Sequence, residues 1–214
     1  MWDDHTVRTI VCFGDSNTWG FDPAHPGERF DRGIRWPGRL ADALAGEWEV
    51  VSEGLNGRTA ALDSPTSEGR NGLTYLVPCL HSHAPVDLVI LFLGTNDVGD
   101  RYALPAMTVA ESVGRLVRVV RTSDAGPDHG APDVLVISPP PFGRVDPDGD
   151  LAGAPPRSEG FSRHFAAVCA ELDVELLDLR GVASYSDLDG HHLDAAAHAA
   201  VAAAVLEWVR LRPS

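Results

Sequence analysis

The chain has 214 residues, 44% hydrophobic and 22% charged, which suits one α/β domain with a sizeable core and is too short for two. Its 17 basic and 31 acidic residues leave a formal net charge of -14, so a phosphate backbone or an anionic membrane would be repelled, and neither nucleic acid nor membrane is an expected partner. The opening "MWDDHTVRTI" has no basic n-region or apolar h-region, and no run approaches the roughly 18 apolar residues of a transmembrane span, so the expectation is a soluble, cytoplasmic protein of one domain over 1–214.

The first apolar run, 9–14, reads as a buried strand and ends in "GDSNTWG". Ser16 therefore stands at the carboxyl end of that strand. Taken alone it reads equally as a helix cap or Asx-type turn, since Asp15, Asn17 and Thr18 are all turn formers, and as an exposed nucleophile. A helical pattern over 36–45 leads to a second strand at 49–53 and then to "SEGLNGRTA". There Gly57 sits in a tight loop whose N–H can approach a ligand with no Cβ in the way.

A third helical pattern, 72–83, contains His81 and His83, whose H-x-H spacing has no clear third ligand and suits a solvated helix end better than a metal. The third strand, 87–94, runs into "LGTND", which puts the amide donor of Asn96 at the same carboxyl edge. Helical patterns follow at 108–123 and 158–172, strands at 133–138 and 174–179, and a final alanine-rich helix at 194–211 with Asp194 as its N-cap. Two connections, "VGDRYALPAM" and "PPPFGRVDPDGDLAGAPPRSEG", are longer than a βα unit needs and read as lids or binding loops. Alternating strands and helices predict an α/β fold, a parallel sheet covered on both faces, with ligands outside the carboxyl ends of its strands. The cysteines Cys12, Cys79 and Cys169 form no C-x-x-C pair, and two of them sit in apolar strand or helix patterns, so structural disulfides are not expected.

A serine hydroxyl attacks a carbonyl only with a base to take its proton, and an imidazole serves only if its tautomer is held. Near the C-terminus "SDLDGHHLDAAAH" sets Asp189 three residues before His192, a spacing that can bring carboxylate and imidazole together. His191 is the rival base, and Asp187, Asp189, His191 and His192 could alternatively form a polar turn or a metal cluster. The developing oxyanion needs donors, and Gly57 and Asn96 offer them, although each also reads as a turn residue. Trp19, Phe21 and Trp36 could line an acyl or alcohol site or pack in the core.

The four blocks "GDSNTWG", "EGLNGRT", "LGTND" and the Asp-x-x-His of "DGHH" resemble, in number, order and spacing, those of the SGNH hydrolases, also called GDSL esterases. With "RWPGRL", "NGLTYL" and "ISPPP" the likeness leans to bacterial arylesterase/acyltransferase enzymes. The resemblance implies a three-layer α/β/α sandwich on a five-stranded parallel sheet of flavodoxin-like type. It implies Ser16 as nucleophile, the Ser16 N–H, Gly57 and Asn96 as oxyanion donors, His192 as base and Asp189 as its orienter. The implied reaction hydrolyses small acyl esters through an acyl-enzyme and transfers acyl groups to alcohols, with no cofactor and no metal; a homo-oligomer is compatible with it.

Carbohydrate acetylesterase, thioesterase and lysophospholipase activities on the same fold are the alternatives. One departure stands in the first block, where Asn17 replaces the leucine of the GDSL name. A flavodoxin-like nucleotide or flavin module is the reading from another class, but "GDSNTWG" is neither G-x-G-x-x-G nor a P-loop. A binding-only descendant of a hydrolase is a third, which the presence of all four candidate groups disfavours.

Overall fold

The computed structural model describes residues 7–211. Five strands, β1 (Arg8–Gly14), β2 (Trp48–Gly54), β3 (Leu88–Phe92), β4 (Asp133–Ser138) and β5 (Glu175–Asp178), form one sheet in the order β2-β1-β3-β4-β5, every pair parallel. The helices are α1 (Ser16–Trp19), α2 (Trp36–Ala43), α3 (Gly72–His83), α4 (Ala106–Val120), α5 (Ala154–Ser158), α6 (Phe161–Glu171) and α7 (Ala195–Leu211). Helices α2 and α7 pack together on one face, while α4 packs between α3 and α6 on the other. Three layers result, as the resemblance implies, with the strand order of flavodoxin-like sheets.

The central strands are buried on both sides because each carries an unbroken apolar run, RTIVCFG in β1 and LVILF in β3. The edge strands β2 and β5 are only half-buried, although their apolar runs read as fully buried from sequence. An edge strand lacks a neighbour on one side, which leaves part of it open to solvent. Amphipathic spacing sets α4, whose Val109, Val113, Leu116, Val117 and Val120 form one buried stripe. Helix α7 rests on alanine propensity and on Asp194, whose Oδ1 accepts from the Ala197 N–H at 2.8 Å. All three cysteines are buried and unbridged. Among the described residues no helix is long and apolar enough to cross a membrane.

The strand order decides where a ligand can bind. From β1 the chain moves outward to β2, then returns to place β3 on the other flank of β1, so the connections leaving β1 and β3 diverge. A crevice opens between them at the carboxyl edge. Gly14 lets it close tightly, since a Cβ there would meet the Phe92 carbonyl oxygen at 2.7 Å and overlap the Thr18 hydroxyl.

Ile90 lies at the middle of this sheet, wholly buried, paired with Cys12 on one side and Leu135 on the other. Ile90→Ala should cost about 2–5 kcal/mol, by lost burial plus the cavity left behind. Urea unfolding measures this; a loss under about 1 kcal/mol would mean that the sheet centre repacks freely.

Candidate active site

Four connections converge at the carboxyl edge. The first is the turn after β1, where Asp15 rather than Ser16 acts as the cap: its Oδ1 accepts from the Asn17 N–H at 2.9 Å. Ser16 opens the single helical turn α1, and its side chain is left to other uses. The Ser16 Oγ lies 3.0 Å from His192 Nε2, and His192 Nδ1 lies 2.7 Å from Asp189 Oδ2. Carboxylate, imidazole and hydroxyl thus form one row, joining the turn after β1 to the turn before α7.

Both ring nitrogens of His192 are engaged in that row. Asp189 Oδ1 also accepts the backbone N–H groups of His191 and His192, each at 3.1 Å. Burial works to raise the Asp189 pKa, but the His192 hydrogen bond and the adjacent imidazoles outweigh it and bring the net shift below the ordinary carboxylate range. His191 points elsewhere: its Nδ1 sits 2.9 Å from the Asp189 backbone oxygen, and burial followed by the charge of His192 lowers its pKa. Asp187 is exposed.

The loops after β2 and β3 supply donors. Gly57 adopts φ +73, a left-handed conformation that favours glycine. Asn96 donates one Nδ2 hydrogen to the Arg58 carbonyl at 2.9 Å, which leaves the other free and ties the two loops together. Among the described residues neither the Ser16 N–H nor the Gly57 N–H has a protein acceptor. Gly57 and Asn96 line a cavity of about 220 Å³ with Ser64, Ser67, Arg70 and Arg101. A second cleft, about 340 Å³, lies beside Asp189 and His191 against Val145, Leu151 and Leu188. Another groove, about 400 Å³, lies near the opposite strand ends around Arg8 and Trp48 and touches none of these groups.

The three aromatic residues separate. Phe21 stacks on the His192 ring with centroids 4.1 Å apart, so it packs on the imidazole itself. Trp19 is half-buried under the Arg29 guanidinium, 4.9 Å from its ring. Trp36 is wholly buried against Phe92, which leaves no face of it open to a ligand. An aromatic at the start of an amphipathic helix carries the same sequence signal in either setting. His81 is exposed and His83 bonds Glu53 at 2.9 Å, so that pair does not converge.

Other residues at the site were not singled out by the sequence reading. Arg58 is almost wholly buried, with its guanidinium over the Phe13 ring at 4.2 Å and donating to the carbonyls of Gly14 at 2.8 Å and Glu53. It ties the Gly57 loop to the ends of β1 and β2. The two long loops form one wall: Asp100 pairs with Arg157 and accepts the Gly153 N–H at 2.9 Å, while Arg101 pairs with Asp150 at 3.0 Å. Helix α5 interrupts the second of them, a short element with no periodicity to reveal it.

Beneath the row lie two enclosed carboxyl groups, Asp15 and Asp97. Asp97 accepts the Ala60 N–H with both oxygens, at 3.0 and 3.2 Å. Burial pushes Asp97 up to about 7, helped by the charge of Asp15, and pushes Asp15 up to about 6 against the Asn17 N–H, His192 and Thr95. A pKa above the ordinary carboxylate value of 3.8 means that the fold holds the proton longer than the unfolded chain does. Such a contribution to stability is full below about 3.8 and is lost as pH rises through about 7. The unfolding free energy of the wild type should therefore fall more steeply across that window than that of Asp97→Asn, in urea titrations at several pH values. A wild-type profile no steeper than the variant's would refute the assignment.

No curated protein sequence matches the chain. The sequence profile of the GDSL-like lipase/acylhydrolase family matches residues 12–200. Among solved structures, the inhibitor-bound form of an aryl esterase from M. smegmatis is 37% identical, with a TM-score of 0.90 over 95% of this chain and 99% of that one. A carbohydrate acetylesterase from Sinorhizobium meliloti is 36% identical, with a TM-score of 0.90 over 95% and 98% of the two chains. With the profile spanning most of the sequence and the same fold throughout, the chain belongs to the GDSL-like lipase/acylhydrolase family, the SGNH hydrolases, and is a carboxylic ester hydrolase.

Proposed function

We propose that the protein cleaves small acyl esters, acetyl and aryl esters foremost, through an acyl-enzyme on Ser16, and passes the acyl group to alcohols as well as to water. The observation that carries this reading is the row from Asp189 through His192 to Ser16, in which each polar atom has the partner its role requires. The Ser16 hydroxyl donates its proton to His192 Nε2 as its oxygen attacks the ester carbonyl carbon. Asp189 accepts from Nδ1–H and stabilises the imidazolium that forms. The carbonyl oxygen, now an anion, faces the Ser16 N–H, the Gly57 N–H and the free Asn96 amide hydrogen; one such donor typically contributes about a hundred- to a thousandfold in rate.

Collapse of the tetrahedral adduct breaks the ester bond, and His192 gives its proton to the departing alkoxide. Water or an alcohol then attacks the acyl carbonyl, its proton passes to His192, and Ser16 is restored. No step calls for a cofactor. Carbohydrate acetates are the second reading, because the cavity beside Gly57 and Asn96 is walled by the hydroxyls of Ser64 and Ser67 and by Arg70 and Arg101, groups that bond sugar hydroxyls.

Ser16→Ala and His192→Ala should each lower kcat by on the order of a millionfold on p-nitrophenyl acetate, while His191→Ala keeps most of it. Mass spectrometry after phosphonate treatment should find the adduct on Ser16. An adduct on another residue, or full activity in Ser16→Ala, would overturn the reading. With vinyl acetate and benzyl alcohol in dilute buffer, benzyl acetate should form before hydrolysis consumes it, since a bound alcohol competes with water by position. Acetate alone, even at high alcohol, would leave a plain esterase.

A further inference from the structure

The base must be held at a fixed distance from the nucleophile, and Asp189 alone does not do this. Asp189 belongs to the same turn as His192, so it orients the imidazole within that turn and leaves the distance from the turn to α1 unset. The side chain of Asn17 spans that gap. Its Nδ2 donates to the His191 carbonyl at 3.2 Å and its Oδ1 accepts from the Leu193 N–H at 2.9 Å. One amide thus brackets His192 from both sides, across 174 and 176 positions of sequence.

Asn17 is itself well anchored. It is 1% exposed, follows Ser16 directly in α1, and gives its backbone N–H to Asp15 Oδ1 at 2.9 Å. Among the described residues, α1 with its exit otherwise meets the His192 turn through the Ser16–His192 hydrogen bond itself and the Phe21 stack at 4.1 Å. A ring stack resists tilting but lets two planes slide, whereas two hydrogen bonds from one planar amide fix the register along the chain. We infer that Asn17 is a positioning residue that sets the distance between His192 and Ser16, so that one helical turn carries both the nucleophile and the clamp on its base. The leucine of the GDSL name has no polar atom for this task, which the Asn17 amide performs here. The inference rests on the proposed roles of Ser16 and His192.

Small displacements at a reacting centre are costly, with about 1 Å worth on the order of a hundredfold. Asn17→Ala and Asn17→Leu should each lower kcat about ten- to a hundredfold, with KM within about twofold of wild type. Made in a His192→Ala background, either change should lower the residual kcat by no more than about twofold, because a residue acting through His192 has nothing left to position. Thermal unfolding of each variant ensures that activity is read on folded protein; Asn17→Leu, which keeps the branched four-heavy-atom outline of asparagine, carries the test if Asn17→Ala does not fold. A kcat within about twofold of wild type in both variants, a rise in KM at unchanged kcat, or the full loss repeated in the His192→Ala background would each overturn the inference. Ser16→Ala separates the two claims. If it stays active, the underlying reading fails, whereas an inactive Ser16→Ala beside fully active Asn17 variants defeats the inference alone.

Discussion

The distance between Ser16 Oγ and His192 Nε2 is 3.0 Å, although 176 positions of sequence separate the two residues. Nothing local brings them together. The serine is delivered by β1, the second strand of a sheet whose order forces its exit loop into a crevice, and the histidine by the turn before α7, which packs on α2. Any change that tilts α7 or shifts β1 against β3 is felt first at this contact. That dependence explains why the strand ends are so crowded, with Gly14 admitting no Cβ and Arg58 filling the space beneath the Gly57 loop.

The crowding has an electrostatic cost. Asp15 and Asp97 are both enclosed, and the charge of Asp15 adds to the burial that raises Asp97, an arrangement that a core selected for stability alone would avoid. Each carboxyl holds a backbone N–H at a turn next to the row: Asp15 that of Asn17, Asp97 that of Ala60. Thr95 and Tyr185, whose hydroxyls lie 2.9 Å apart, extend the polar layer beneath the same turns. The protein gives up some stability in its upper core to fix loops that no regular structure holds, a common arrangement where side chains must be placed within fractions of an ångström.

The central strands were legible because burial on both faces imposes an unbroken apolar run, and the loop residues Ser16, Gly57, Asn96, Asp189 and His192 because each follows or precedes an element at a set spacing. The edge strands are less buried than their apolar runs imply, since such a run does not say how many neighbours it will have. Trp36 was indistinguishable from a pocket residue: the start of an amphipathic helix carries the same pattern whether its aromatic faces core or ligand. Phe21 and Asn17 act across more than 170 positions, and no local pattern encodes such partners. The helical turn α1 and the short α5 leave no sequence signal for a simpler reason, since four or five residues do not establish a helical period.

The walls around the site are built in two ways. The loops bearing Gly57 and Asn96 are tied by buried groups, Arg58 against Phe13 and Asp97 against Ala60. The outer wall, by contrast, is joined by charge pairs such as Arg101 with Asp150, whose side chains are 38% and 80% exposed. Exposed pairs contribute little individually and are easily exchanged. Mutational drift can therefore remodel the outer loops, and with them the size and polarity of the ester admitted, while the inner loops stay where they are.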